Sequence, residues 1–199
     1  MAKKQVRNEA LTELLYQALE TELGGVEIYR NAVQCAQNPE LLEEWEKYLS
    51  QTEEHVRILR AALEGMELDP DLDTPGRQIV RHLGKSLIKA IQLALGSLSP
   101  EDAQLVACEC VVLGETKDHA NWSLLRKLLQ DSPAGAFGPL RGAVELVEPE
   151  EDEHLYHTQG WSRELWLEAL GLQAQLPPPE EQEDVQSEEE AVKARMARA

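Results

Sequence analysis

Aromatic residues are scarce in this chain, with one Phe, four Tyr and four Trp among 199 residues, and basic residues are outnumbered, 19 Lys and Arg against 37 Asp and Glu. Few aromatics beside abundant Ala, Leu, Glu and Gln disfavour a sheet protein and favour helix. The formal charge of −18 removes the positive footprint that a nucleic-acid partner needs. No stretch approaches the roughly 20 apolar residues of a membrane-spanning helix, so a membrane partner is not expected either. The three cysteines, Cys35, Cys108 and Cys110, are odd in number and lack metal-knuckle spacing. They read as reduced thiols rather than a disulfide frame. The N-terminus, Met1 to Arg7, is basic but runs into Glu9 and Glu13 instead of an apolar signal core. A cytoplasmic protein is the expectation.

Hydrophobic residues still make up 42% of the chain, enough for a packed core. Pro and Gly punctuate five stretches of helical periodicity. The first runs from about Asn8 to Gln37 and stops at Asn38-Pro39; the second runs from about Glu40 to Leu63. A loop carrying Pro70, Pro75 and Gly76 leads to a shorter third stretch ending at Gly96. Ser99-Pro100-Glu101-Asp102 starts the fourth with an N-cap, a proline at the first helical position and acids in the first turn. The fifth follows a Pro/Gly-rich turn near Gly135 and reaches about Leu170; Pro149 is expected to kink or split it. Residues 171–199 read as an acidic, Pro-rich tail, solvated or partly helical. No segment alternates with period two as a strand would.

Short connections between the first and second, and between the fourth and fifth stretches, predict two antiparallel hairpins. Joined by a crossover that carries the third stretch, they give an all-α, antiparallel four-helix bundle over residues 1–170. An alternative bundles the first four stretches and leaves the fifth outside.

The apolar stripe of each long helix is interrupted at mid-length. In the first helix Leu11, Leu15, Ala18, Val26 and Tyr29 flank Glu22, while Glu13, Glu20 and Glu27 lie on another face and read as solvated. In the second, Leu42, Trp45, Leu49, Val56, Leu59 and Leu63 surround Thr52 and His55. In the fourth, Leu105, Cys108, Val112, Trp122 and Leu129 surround Glu115 and His119. In the fifth, Leu140, Val144, Val147, Thr158, Trp161 and Leu165 surround Glu151 and His154. The heights agree too. Glu22 precedes Asn38 by the same 16 residues by which His55 follows Pro39, and His119 and Glu151 stand 16 residues either side of Gly135. In an antiparallel hairpin equal offsets mean equal levels. Several buried carboxylates at one level repel unless protons or a cation intervene, and mixed carboxylate and imidazole donors suit iron, manganese or zinc. Glu22, His55, Glu115, His119, Glu151 and His154 are the candidate ligands. The bland alternative is a metal-free hydrogen-bonded network of the same residues.

Glu22-Leu23-Gly24-Gly25-Val26-Glu27-Ile28-Tyr29 resembles the first-helix Glu-x6-Tyr pattern of ferritin-like proteins such as bacterioferritins and rubrerythrins, and Glu151-Asp152-Glu153-His154 resembles their last-helix Glu-x-x-His. The hairpin–crossover–hairpin order is similar over about residues 8–165. That resemblance implies a dinuclear site with one Glu on each of two helices and a Glu-x-x-His on each of the other two. Glu22 and Glu115 then match the single acids, and Glu151 with His154 matches one pair. The second pair departs from the pattern, because Thr52 stands where a Glu is expected before His55. His119 is an extra imidazole that can compensate. The resemblance further implies one or two iron or manganese ions, dioxygen or peroxide as co-substrate, and a role in stress defence or metal handling. A metal-free scaffold and an iron store, which needs many subunits, are the competing classes.

Other polar residues on or near the stripes read more plainly. His157 is taken as surface or as a neighbour of the site, and Tyr29 as core beside it. Arg77, Arg81, Lys85 and Lys89, four residues apart on the third helix, read as a solvated or ion-paired edge on which a second subunit of a homo-oligomer can dock. No phosphate loop, Ser/His/Asp constellation or nucleotide fingerprint is present.

Overall fold

Three of the five long helices start where a small polar residue precedes a proline. Asn38 accepts from the Glu40 and Leu41 amides, Thr74 from Arg77 and Ser99 from Asp102, each with proline next in sequence. Such caps are worth about 1 kcal/mol apiece. The computed structural model describes residues 2–197, with side chains from residue 9 onward. It contains α1 (Ala2–Ala32), α2 (Pro39–Gly65), α3 (Pro75–Ser97), α4 (Pro100–Gln130), α5 (Gly138–Ala169), α6 (Pro179–Gln182) and α7 (Glu188–Ala197). The protein is all-α; the described residues form no strand. None of these helices is long and apolar enough to cross a membrane.

Helix α1 packs against α2, α3 and α4, and α5 packs against α2 and α4. The fifth long helix is therefore not left outside. Two apolar clusters account for the arrangement. One gathers Tyr29, Leu41, Trp45, Tyr48, Cys108, Val111, Trp161 and Leu165. The other gathers Leu15, Leu19, Leu59, Leu63, Trp122, Leu125, Leu140 and Val147. Late α1 meets early α2, and early α1 meets late α2; α4 and α5 pair in the same way, so each pair is antiparallel. Each fully buried Leu or Val contributes about 1.5–3 kcal/mol. Between the clusters lie Glu22, Thr52–His55, Glu115–Asp118 and Glu151–His154.

Several expectations need correction. Helix α1 ends at Ala32 rather than Gln37, where the Gln34 and Cys35 amides turn to carbonyls only three residues back. The buried face of α2 is Leu41, Glu44, Trp45, Tyr48, Thr52, His55 and Leu59, while Leu42, Leu49 and Val56 are only partly covered. Helix α5 is not split at Pro149, which lies inside it. Glu20 is buried instead of solvated, because Arg77 and Arg81 from α3 reach its carboxylate at 3.0 and 2.6 Å. That pair pins α3 to α1, leaving Lys85 and Lys89 as the exposed part of the basic edge. The C-terminal segment takes the partly helical form, as α6 and α7, and is docked at a few residues. Arg163 grips Glu180 with two bonds of 2.7 and 2.8 Å, and Val185, Ala191 and Ala194 bury against Leu155 and Tyr156.

Candidate metal centre

Each of the four helices α1, α2, α4 and α5 sends polar side chains into the gap between the apolar clusters. Glu22, Thr52, His55, Glu115, Asp118, Glu151 and His154 are all buried there, with His154 and Glu22 wholly sealed. The helical period that packs the flanking Leu and Trp residues turns these positions inward as well.

His55 Nδ1 lies 3.0 Å from Glu151 Oε1 and 3.6 Å from Glu22 Oε2. His154 Nδ1 lies 3.7 Å from Glu115 Oε2 and 3.8 Å from Glu151 Oε1. Two triads result, Glu22–His55–Glu151 and Glu115–Glu151–His154, with donor atoms within 4.8 Å of one another in each. Glu151 belongs to both. Each triad can hold a metal ion.

The outer atoms of these side chains are held. His55 Nε2 is 2.7 Å from Glu150 Oε2, His154 Nε2 is 3.1 Å from Gln51 Oε1, and Trp122 Nε1 donates to Glu22 Oε1 at 2.8 Å. Such contacts fix ring orientation, with the outer nitrogen engaged and Nδ1 facing into the cluster. The inner atoms are not satisfied. Glu22 Oε2, His55 Nδ1, Glu115 Oε2, Glu151 Oε2 and His154 Nδ1 are buried without a hydrogen-bond partner. The 3.0 Å approach of His55 Nδ1 to Glu151 lacks hydrogen-bond alignment. An unsatisfied buried polar atom costs about 1–3 kcal/mol, and here five share one volume. A cation that accepts both oxygen and nitrogen donors removes that cost.

Without a cation, protons must carry the balance. Burial pushes the Glu151 carboxyl well above its usual range, and the Glu22 carboxylate adds to this. Asp118 is raised by burial first and then by Glu22, Glu151 and Glu115. Burial alone would lower the His55 pKa, but Glu150, Glu151 and Glu22 outweigh it and push it up to about 12.

Of the six sequence candidates the structure brings together Glu22, His55, Glu115, Glu151 and His154, and it sets His119 apart. The His119 ring is about one-fifth exposed, with Nε2 2.7 Å from Asp152 Oδ1 at the outer edge of the α4–α5 contact. Asp118 takes the inward place instead. Residues three and four after Glu115 fall on either side of its meridian, and packing rather than spacing chooses between them. Thr52 turns its hydroxyl back onto the Tyr48 carbonyl at 2.8 Å. Tyr29 is fully buried with an unpaired hydroxyl, its ring edge-on to His154 at 6.3 Å.

A second buried polar cluster escaped the sequence reading. His157 is 2% exposed, not a surface residue. Its Nδ1 lies 2.8 Å from Glu44 Oε1 and 3.0 Å from the Tyr48 hydroxyl; Tyr48 also donates to Glu44, and Trp161 Nε1 donates to Glu44 Oε2 at 2.6 Å. Burial would raise the Glu44 carboxyl, but His157, Glu181 and Tyr48 prevail and hold it down at about 2. The available signal was the spacing Glu44–Tyr48–His55 on one face of α2.

Comparison of the chain with models of known protein families, with curated proteins and with solved structures finds no match.

Proposed function

We propose that the chain is a ferritin-like metalloprotein, with α1, α2, α4 and α5 as its four-helix bundle and α3 on the crossover, and that it binds one or two iron or manganese ions and acts on dioxygen or peroxide. The observation that carries the reading is the set of five buried, unpaired donor atoms aimed into one volume from four helices. Glu22 and His55 would hold one ion, Glu115 and His154 the other, and Glu151 both.

The charges support two divalent ions. Glu22, Glu115, Glu151 and Asp118 together offer four carboxyl groups at this level, so Asp118 replaces in charge what Thr52 omits. The donor set of two imidazoles with carboxylates suits iron and manganese. A bound redox-active ion supplies electron transfer to oxygen species. The chain's own contribution is orientation and exclusion. Glu150 and Gln51 fix the two rings, Trp122 fixes Glu22, and the apolar clusters at both ends keep bulk water away. Because Thr52 supplies no carboxylate, coordination positions would be left open to water or an oxidant.

Elemental analysis of protein purified without chelator tests the reading. About one or two equivalents of iron or manganese are expected, lost in Glu151→Ala and reduced in His154→Ala. Folded protein that takes up neither Fe(II) nor Mn(II) overturns it. It would leave the metal-free network, which the upward pKa shifts of Glu151 and His55 favour.

A further inference from the structure

A cavity of about 310 Å³ lies where α1, α3 and α4 meet. Glycines make the space: Gly24 and Gly25 on α1, Gly84 on α3 and Gly114 on α4 all line it. Glycine is less favourable than alanine inside a helix, and here four helical glycines border one void. Close approach does not demand glycine at this crossing, since a Cβ on Gly84 would make an ordinary contact, 3.7 Å from the Gly24 Cα. Nor does it explain the void beside that crossing.

The wall is otherwise mostly aliphatic, with Ile28 and Val80 inside and the half-exposed Leu83 and Leu113 at the mouth. The inner end is different. There the wall is Glu115 and Asp118, each with one buried carboxyl oxygen that has no hydrogen-bond partner. Behind Gly25 the wall is closed by Thr52, whose Cγ2 a Cβ on Gly25 would meet at 3.2 Å. The void thus ends against the candidate ligand Glu115, with Thr52 packed on the far side of Gly25.

We infer that this cavity is a binding site for a neutral, apolar small molecule, of hydrocarbon-chain or single-ring size and carrying at most a hydroxyl, seated with its inner end against Glu115 and Asp118. Apolar cavities stay dry and take up apolar guests, and this volume is at the lower end of small-molecule sites. Charge sets the class. Lys117 is the one cation among the described lining residues, and its ammonium is engaged by Asn121. That bond to a neutral amide leaves the ammonium charge in place, but a carboxylate or phosphate entering head first would still face Glu115 and Asp118, with Glu20 also on the wall, against this one cation. Seating an organic substrate of the metal centre here rests on the function proposed above; binding of the guest does not.

The test is fluorescence titration of the full chain with the neutral probe N-phenyl-1-naphthylamine, metal-free and after loading with Mn(II), with competition by decanol and by decanoate. Expected are saturable binding at about one equivalent and displacement by decanol at least about tenfold more effective than by decanoate. Val80→Phe, which fills the cavity, and Leu83→Trp, which obstructs its mouth, should each weaken the probe about tenfold or more while helicity by circular dichroism is unchanged. No saturable binding, binding indifferent to both variants, or equal competition by decanoate overturns the inference. Probe binding in a protein that takes no metal would remove the metal function and leave the cavity. Metal uptake without probe binding would do the reverse.

Discussion

Helices α2 and α5 each carry Glu or His into two buried clusters, and the two are finished differently. At Glu44 every polar atom of the carboxylate has a donor, from Tyr48, His157 or Trp161. At Glu151, roughly two turns away, the donor atoms of five side chains point at one another without partners. The Glu44 carboxylate is satisfied by protein alone, leaving His157 Nε2 as the unpaired atom of that cluster, and its hydrogen bonds hold α2 against α5. The second is oriented from behind by Glu150, Gln51 and Trp122 and left open in front. Burial of acids and histidines therefore does not by itself mark a metal site. What sets the Glu151 cluster apart is that five unpaired donor atoms converge there, against one beside Glu44.

Substitution at the two central carboxylates gives the largest separation. Glu151→Ala is expected to abolish metal uptake by calorimetric titration, because both triads lose a donor, and to leave metal-free stability unchanged or raised. Glu44→Ala is expected to keep metal uptake and to lose about 3–5 kcal/mol in urea unfolding, because His157, Tyr48 and Trp161 are left with a broken buried network. Metal loss in Glu44→Ala with retention in Glu151→Ala would invert the assignment of the two clusters.

Thr52→Glu adds a carboxylate to the open cluster and should differ in sign with metal. Metal-free, the extra charge lowers stability by about 2–4 kcal/mol. With Mn(II) or Fe(II) it should raise affinity or the number of ions bound, so its melting temperature moves up relative to the unloaded variant by more than in the parent. Equal destabilisation in both conditions would mean that the helical geometry persists without the chemistry.

The pH dependence of stability separates the states again. Glu151 and Asp118 have raised pKa values in the fold, so their stabilising contribution is complete below the ordinary carboxylate range and is lost as pH rises toward the raised values. His55 has the same sign, with its contribution complete below the ordinary imidazole value and lost as pH climbs toward about 12. The metal-free protein should therefore gain thermal stability from about pH 8 to about pH 5. The loaded protein should lose it over the same range, because protons compete with the ion for these donors. Parallel slopes would exclude an occupied cluster.

The smallest effect is expected at His119. Its pair with Asp152 is partly exposed, so His119→Ala should cost less than about 1 kcal/mol and leave metal stoichiometry unchanged.

How much of this was legible beforehand depended on the helix. On α5 the apolar stripe is strong, and Leu140, Val144, Val147, Trp161 and Leu165 are all buried as the period requires, so Glu151 and His154 fell into place. Glu22 and His55 stood out on their own stripes, and equal offsets from the turn agreed with them, but the same offset matched His119, which the structure sets apart. On α4 the mean direction was right, but Asp118 and His119 straddle it and only the packing of α5 decides which turns inward. On α2 the stripe was read one position off at Leu42 and Leu49, and that error hid Glu44 and Tyr48. Glu20 was missed for a different reason: its partners Arg77 and Arg81 lie 57 and 61 residues away on α3, and no local period encodes such a pairing.

Glu151 contributes donors to both triads, and that sharing sets the form of any binding isotherm. Two positions with a common carboxylate are one linked equilibrium. Whatever factor the first ion imposes on the affinity of the second, by aligning the shared side chain or by spending its charge, the second imposes on the first, whichever position fills earlier. A titration of this protein should accordingly be fitted with an interaction constant, and mixed-metal loading should depend on the pair of ions present rather than on the sum of two separate preferences.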